Sequence, residues 1–328
     1  MSSLQSYQGA IAAKTAFVFP GQGSQKAGMF AELAERFPSI LATFQEASDS
    51  LGFDVWQIAQ SGENLDQTQY TQPVLLTASV ALWRVWLECG GILPKYLAGH
   101  SLGEYSALVA AEALTLAEAV KLVHLRGQLM QQAVPQGTGA MAAILGLADD
   151  QVIALCQSAT QDAGANVEAA NFNAQGQVVI AGATDAVKIA IEKAKELSGK
   201  AIVLPVSVPS HCSLMKSASE QFADALSQVN WQLPKVPVIN NVNAQVATDV
   251  ESLKQALIHQ LYQPVQWTKT LGFLADQEVQ YLVECGPGNV LSNLAKRLPF
   301  VEKALPADTV SRFEDALNTV LTAEGKIA

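Results

Sequence analysis

The stretch Leu97-Ala-Gly-His-Ser-Leu-Gly-Glu104, continuing as Tyr105-Ser-Ala-Leu-Val109, decides how this chain folds. An apolar strand pattern ends at Gly99, and a helix-forming run begins at Glu104. The Gly-x-Ser-x-Gly element between them is typical of a sharp strand-to-helix turn that exposes its serine, because flanking glycines carry no obstructing Cβ atoms. Unpaired N–H groups at the helix start can stabilise an oxyanion. The stretch predicts Ser101 as a nucleophile, although a glycine-rich turn with an ordinary N-cap serine has the same letters.

Composition narrows the class of protein. The chain has 328 residues, of which 49% are hydrophobic and 15% charged, so it can bury a large core and is not disordered. Its net charge of −10 and the absence of a basic run give nucleic-acid binding no support. Without a signal-peptide pattern at Met1 or an apolar run as long as a membrane span, we expect a cytoplasmic protein with no membrane association.

The four cysteines lie far apart and form no Cys-x-x-Cys pair. Zinc ligands and redox motifs normally occur at such close spacings. We therefore expect reduced, packed thiols and no metal site.

Helices and short apolar strands alternate along most of the chain, which predicts an α/β fold with a parallel sheet covered on both faces. The middle segment differs, since its order β-α-β-β-α-β is the ferredoxin-like signature. We expect an N-terminal tail over residues 1–14, a large subdomain formed by residues 15–136 and 207–328, and an inserted small subdomain over residues 137–206.

A serine nucleophile needs a base, and the chain has four histidines. His100 is adjacent to Ser101, where the turn should direct its side chain elsewhere, so we expect it to support the turn. His124 and His259 occupy helical positions typical of packing or solvent exposure. His211 lies where the chain returns from the inserted segment, and clefts commonly form at such junctions. Elimination therefore favours His211 as the base over a loop histidine with no catalytic role. Its orienting partner stays open among Glu104, Asp249 and a carbonyl group.

The capping box Thr115-Leu-Ala-Glu118 predicts the start of a helix over residues 115–134. Arg126 lies on this helix, and its helical neighbours are apolar. No acidic residue is within helical reach. A buried guanidinium without a partner costs several kcal/mol, so Arg126 either extends to water or meets a carboxylate from elsewhere, such as that of a substrate. The residues alone favour neither solvent exposure of Arg126 nor its pairing with a carboxylate.

The loop Gly21-Gln-Gly-Ser-Gln25 follows a predicted strand over Thr15–Pro20. It fails both the dinucleotide and the Walker A templates, because Lys26 and Met29 stand where each requires another residue. Its backbone N–H groups can still face an anion. In an enzyme whose nucleophilic serine lies on a strand-to-helix turn, such a loop can supply a second oxyanion donor, the first being the N–H of Leu102.

These motifs, taken in order, resemble the malonyl-CoA:acyl carrier protein transacylases of bacterial fatty acid synthesis. The resemblance covers residues from about 15 to about 298 and rests on an ordered set of strings: Phe17-Val-Phe-Pro-Gly-Gln-Gly-Ser-Gln25, Gly99-His-Ser-Leu-Gly-Glu104, Leu125-Arg-Gly127 with Met130, Asn171-Phe-Asn173, Gln177-Val-Val-Ile-Ala-Gly182, Val208-Pro-Ser-His211, Pro264-Val-Gln-Trp267 and Glu284-Cys-Gly-Pro-Gly288.

The resemblance implies an α/β-hydrolase-like large subdomain with an inserted ferredoxin-like small one. It implies ping-pong transfer of a malonyl group from malonyl-CoA to the phosphopantetheine thiol of holo acyl carrier protein, with no cofactor. The roles that it implies are nucleophile for Ser101, base for His211, oxyanion N–H groups for Gln22 and Leu102, carboxylate clamp for Arg126, a carbonyl orienting His211 for Gln266, and cleft lining for Asn171 and Asn173.

Three other functions remain as alternatives. The first is an acyltransferase for another acyl group, which would leave Arg126 without a partner. The second is a serine esterase or thioesterase, which usually carries an acidic triad member that is not evident here. The third is a non-catalytic binding protein, which leaves both Ser101 and Arg126 unused.

Overall fold

The computed structural model describes residues 11–206, 208–296 and 298–327, and its strands form two separate sheets. The first ten residues of the predicted tail lie outside the described residues. The first strand begins at Ala12, three residues before the predicted start, so the last part of that tail belongs to the sheet. The division of the chain at residues 137 and 206 stays a prediction.

The larger sheet has five parallel strands in the order β7-β2-β1-β8-β9. They are β1 (Ala12–Phe19), β2 (Pro94–Gly99), β7 (Val238–Ile239), β8 (Tyr281–Glu284) and β9 (Lys303–Pro306). Phe19 pairs with Gly99, so β1 and β2 end side by side. This register places the Gly21 loop next to the Ser101 turn, at the carboxyl edge where open α/β sheets bind ligands.

Helices cover the larger sheet. They are α1 (Ala31–Arg36), α2 (Ser39–Leu51), α3 (Val55–Ser61), α4 (Thr68–Glu88), α5 (Gly103–Ala110), α6 (Leu116–Gln132), α9 (Lys216–Ser227), α10 (Val250–Gln260), α11 (Trp267–Asp276), α12 (Val290–Ala295) and α13 (Val310–Ala323). The predicted capping box is present, because Thr115 and Glu118 exchange hydrogen bonds at the start of α6. No helix in the described part of the chain is both long and apolar enough to cross a membrane.

The smaller sheet is antiparallel and has the order β4-β5-β3-β6. Its elements are β3 (Gly139–Leu145), α7 (Asp149–Ala163), β4 (Val167–Ala174), β5 (Gln177–Ala183), α8 (Thr184–Glu196) and β6 (Lys200–Val203). The element order and strand order are those of a ferredoxin-like unit, as predicted. Its core is separate from that of the larger sheet.

Backbone hydrogen bonds join β4 to the large subdomain. Phe172 N–H donates to the carbonyl of Val265 at 2.9 Å, and Val265 N–H donates to the carbonyl of Ala170 at 2.9 Å. The edge of the small sheet is therefore fixed beside the carboxyl edge of the large one.

Candidate active site

Ser101 sits on a strained turn between β2 and α5. Its φ angle is 53°, in the left-handed region that residues other than glycine rarely adopt. A Cβ atom on Gly99 would overlap the backbone of Gly103, and one on Gly103 would overlap the carbonyl of Phe19. The two glycines are thus required by close packing of the turn against itself and against β1.

Side-chain amides hold the backbone of this turn. Asn241 Oδ1 accepts from the N–H of Ser101 at 2.6 Å, and Asn241 Nδ2 donates to the carbonyl of Gly99 at 2.6 Å. Gln260 Nε2 donates to the carbonyl of Ser101 at 2.9 Å. With its own peptide groups occupied, the serine presents only its hydroxyl to the site.

His211 is placed as a base for that hydroxyl. Its Nε2 lies 2.8 Å from Ser101 Oγ, and its Nδ1 lies 2.6 Å from the carbonyl oxygen of Gln260. Because a carbonyl only accepts, Nδ1 carries the proton and Nε2 is free to take one from the serine. Burial, followed by the nearby charge of Arg126, lowers the pKa of His211 to about 3. The free imidazole is therefore neutral across the physiological range.

The orienting carbonyl belongs to Gln260, and the prediction of Gln266 is wrong. The carbonyl of Gln266 instead accepts from the N–H of Thr270 at 2.9 Å, inside the first turn of α11. Neither acidic candidate contacts His211. Glu104 binds Asn241 and Gln260, and the side chain of Asp249 caps α10 by accepting from Ser252 N–H at 2.7 Å.

Arg126 is fully buried beside Ser101, with 1% of its surface exposed. Its Nη1 donates to Gln72 Oε1 at 3.0 Å, and its Nη2 donates to Gln260 Oε1 at 3.0 Å and to Ser101 Oγ at 3.3 Å. All three partners are neutral, and the ion pairs among the described residues do not include this arginine. Arg126 neither reaches water nor meets a protein carboxylate, so its charge is available to an anionic substrate.

Gln22 and Leu102 lie on the two loops that the β1–β2 register brings together. Among the described residues, no hydrogen-bond acceptor is recorded for the backbone N–H of either. A Cβ atom on Gly21 would lie 2.5 Å from the carbonyl oxygen of His100, so the first loop packs directly on the Ser101 turn. Two free donors beside a nucleophile form a suitable oxyanion site.

Asn171 and Asn173 lie on β4, at the edge of the small sheet. Asn173 Oδ1 accepts from His100 Nε2 at 2.8 Å. Asn171 is buried within the strand and forms a bridge to Val265. Asn173 therefore approaches the serine turn through His100, whereas Asn171 belongs to the joint between the subdomains.

Three site residues were not anticipated from the sequence: Asn241, Gln260 and Gln72, all amides. No motif surrounds them, and amides are ordinary on helices and loops. Their buried partner Glu104 is the one member of this group that the sequence marks, because it directly follows the Gly-x-Ser-x-Gly element. Burial raises the pKa of the Glu104 carboxyl to about 7, although Gln260, Asn241 and Arg126 act in the opposite direction.

A polar cavity of about 770 Å³ opens beside the site. Its lining includes Gln22 and Thr68 from the large subdomain and Leu204, Pro205 and Val208 from the returning chain. In the described part of the chain, no group of three or more His, Cys, Asp or Glu side chains is arranged to hold a metal ion.

Comparison with known proteins points to one family. A family model for the acyl transferase domain matches residues 16–312. The malonyl CoA-acyl carrier protein transacylase of Escherichia coli K12 is 52% identical over 286 residues, which cover 86% of this chain and 92% of that protein. The transacylase of Haemophilus influenzae is 50% identical over 304 residues, which cover 92% of this chain and 97% of that protein.

Solved structures agree with the sequence comparison. FabD from Acinetobacter baumannii has a TM-score of 0.94 and 69% identity, covering 95% of this chain and 99% of its own. A malonyl-transacylase in complex with a type II polyketide acyl-carrier protein has a TM-score of 0.91 and 48% identity, covering 93% of this chain and 99% of its own.

Proposed function

The chain belongs to the acyl transferase family, and we propose that it transfers the malonyl group of malonyl-CoA to the phosphopantetheine thiol of holo acyl carrier protein, supplying fatty acid synthesis. The observation that carries this proposal is the position of one hydroxyl: Ser101 Oγ lies 2.8 Å from His211 Nε2 and 3.3 Å from Arg126 Nη2. A nucleophile thus lies between a neutral base and a cation that forms no direct ion pair with any described residue. That arrangement fits an acyl group that carries a free carboxylate.

In the first half-reaction, Ser101 attacks the thioester carbonyl of malonyl-CoA while His211 Nε2 takes its proton. The tetrahedral oxyanion accepts hydrogen bonds from the N–H groups of Gln22 and Leu102. The C–S bond then breaks, His211 returns the proton to the leaving thiolate, and coenzyme A departs. The malonyl group remains as an ester of Ser101.

The second half-reaction is the reverse of the first with a different thiol. His211 takes the proton of the phosphopantetheine thiol, whose sulfur attacks the malonyl-serine carbonyl. The same two N–H groups hold the oxyanion. Collapse breaks the ester bond, His211 protonates Ser101, and malonyl carrier protein leaves. The reaction consumes one thioester and forms another, so it uses no cofactor.

Arg126 has two effects in this scheme. Its guanidinium fork matches the free carboxylate of the malonyl group in charge and shape. Its charge also disfavours the imidazolium form of His211 when the site is empty. A bound malonyl carboxylate offsets that charge and raises the basicity of His211, so the correct acyl group assists proton transfer.

The roles of residues in the small subdomain follow from their position next to the Ser101 turn. Asn173 hydrogen-bonds His100 next to Ser101, on the side of β4, and the returning chain near Val208 lines the polar cavity. We place the reaction in the cytoplasm. The four cysteines are all unpaired, as is usual in a reducing compartment.

Acyl transfer is tested by intact-mass measurement followed by peptide mapping. The protein is incubated with malonyl-CoA, and we expect a mass increase of one malonyl group on the peptide that contains Ser101. Addition of holo acyl carrier protein should remove that group and produce malonyl carrier protein. Ser101→Ala should abolish the adduct. Ser106→Ala is the matched control, because Ser106 is a buried serine on α5 whose hydroxyl has no hydrogen-bond partner among the described residues.

Two outcomes contradict the proposal. No adduct on Ser101 eliminates covalent transfer. An adduct that is lost to water as fast as to carrier protein indicates the esterase alternative, in which free malonate accumulates. Retention of the adduct until a thiol arrives supports transfer.

A further inference from the structure

Glu104 is a buried carboxylate that the proposed mechanism does not use. It lies in the first turn of α5, three residues after the nucleophile, with 3% of its surface exposed. Its Oε2 accepts from Gln260 Nε2 at 2.8 Å and from the backbone N–H of Asn241 at 3.0 Å. A buried carboxylate needs such donors to persist, and the side chains of both donor residues also hold the serine turn.

Gln260 connects Glu104 with the catalytic groups. The Nε2 end of its amide donates to Glu104, and the Oε1 end accepts from Arg126 Nη2 at 3.0 Å. Its backbone carbonyl accepts from His211 Nδ1 at 2.6 Å. One residue thus joins the carboxylate, the arginine and the histidine.

The carboxylate also fixes which way the Gln260 amide points. A carboxylate only accepts hydrogen bonds and a guanidinium only donates them, so the amide has a single orientation between the two. A neutral side chain at position 104 can both donate and accept. A protonated glutamate or a glutamine therefore also allows the Gln260 amide to rotate by half a turn. In that orientation its NH₂ group faces Arg126, and the hydrogen bond from Arg126 Nη2 to Gln260 Oε1 is lost.

We propose that Glu104, in its carboxylate form, is a positioning residue that holds Gln260 so that Arg126 and His211 keep their places around Ser101. The inference rests on the proposed malonyl transfer and adds a residue that acts through Gln260, without touching substrate. Charged hydrogen bonds are roughly twice as strong as neutral ones, so this role requires both the charge of Glu104 and the length that brings its carboxylate to Gln260.

The charge of Glu104 is set by the groups around it. Burial raises its pKa to about 7, and Arg126, on α6, acts in the opposite direction. The other titratable group that interacts with it is Tyr105 on the same helix, which is neutral near pH 7. Transfer should therefore decline as the pH falls through about 7, whereas His211 stays neutral over that range.

The test compares wild type with Glu104→Gln. The measured quantity is kcat/KM for malonyl-CoA in the acylation half-reaction from pH 5.5 to 8.5, so that the carrier thiol does not contribute. At pH 8 we expect Glu104→Gln to lower kcat/KM about tenfold, the equivalent of one charged hydrogen bond. The wild-type value should approach that of the variant as the pH falls, and the variant should show no such pH dependence.

Glu118→Gln is the matched control, because Glu118 is also a first-turn glutamate and glutamine preserves its capping box. It should behave as wild type.

A folded Glu104→Gln variant with the wild-type rate and pH profile overturns the inference. If that variant does not fold, Glu104→Asp replaces it, since the shorter carboxylate cannot reach Gln260; unchanged transfer by that variant overturns the inference as well. Failure of the wild type to form malonyl-Ser101 refutes the proposed function itself, whatever the variants do.

Discussion

The guanidinium of Arg126 donates to the hydroxyl of Ser101 at 3.3 Å, so the proposed carboxylate clamp contacts the proposed nucleophile directly. Arg126 is held on α6 by neutral partners only, Gln72 and Gln260. Recognition and chemistry therefore share one hydrogen-bonded cluster.

Removal of this cation should change selectivity more than activity in general. We expect Arg126→Ala to lower kcat/KM for malonyl-CoA about 100-fold or more, because a buried charge-assisted pair is lost. The rate with acetyl-CoA should change less than about tenfold, since acetyl has no carboxylate to lose. Steady-state transfer with both thioesters measures this.

Arg312→Ala serves as the control for that experiment. Arg312 is exposed on α13 and pairs with Asp308, far from the site in sequence and in the fold. Equal losses for the two thioesters in Arg126→Ala would rule out carboxylate selection by this residue.

The Ser101 turn should not tolerate a methyl group on either flanking glycine. Gly99→Ala and Gly103→Ala each place Cβ inside backbone atoms that cannot move without separating β1, β2 and α5. We expect loss of about 3 kcal/mol or more of stability, or failure to fold, measured by thermal unfolding. Gly272→Ala on α11 is the control, because nothing lies within 4 Å of its added Cβ. It should stabilise by about 0.5–1 kcal/mol, since alanine favours a helix.

The stability of the protein should depend on the charge of Glu104. The folded-state pKa is raised to about 7 from 4.5, so the native state binds more protons than the unfolded state between these values. The contribution of protonated Glu104 to the free energy of unfolding is fully present below pH 4.5 and is lost as the pH rises through 7. Relative to wild type, Glu104→Gln should gain up to about 3 kcal/mol between pH 4.5 and pH 8, seen in urea unfolding curves. A pH-independent difference between the two proteins would contradict this.

Glu324 should stabilise the irregular start of β1. Its carboxylate accepts from the N–H groups of Ala13 and Lys14 at 3.2 and 3.0 Å, where the pairing of β1 with β2 shifts register. Glu324→Ala should cost about 1–2 kcal/mol and lower Tm by about 2–8 °C. Glu314→Ala, an exposed site on α13, should leave Tm unchanged. Equal Tm values for the two variants would exclude the role.

Much of the fold follows from local patterns. The capping box at Thr115 predicts the start of α6 because both partners of the cap are visible in the sequence. The alternation of elements in the small subdomain predicts its sheet, because each element buries one face. The sequence pattern does not predict strand β9, since Lys303–Pro306 is short, pairs only with β8 and has a single buried residue.

The candidate site also contains residues that the sequence predicts and residues that it does not. Ser101 and His211 are visible because their chemistry resides in their side chains. The orienting group is a backbone carbonyl, which every residue has, and its assignment to Gln266 rather than Gln260 was an error of six positions that no side-chain pattern could reveal. Asn241 and Gln260 act through amides brought close by folding, so their roles depend on three-dimensional contacts alone.

The joint between β4 and Val265 has a mechanical consequence. Its two backbone hydrogen bonds, together with that between Asn173 and His100, connect the small sheet to the large subdomain next to the nucleophile. A hinge motion that opened this side of the cleft would break all three bonds at once. We therefore expect thioesters to enter and leave without a hinge opening of the small subdomain on this side, so that the arm of the incoming thiol has to fit a cleft held at this width.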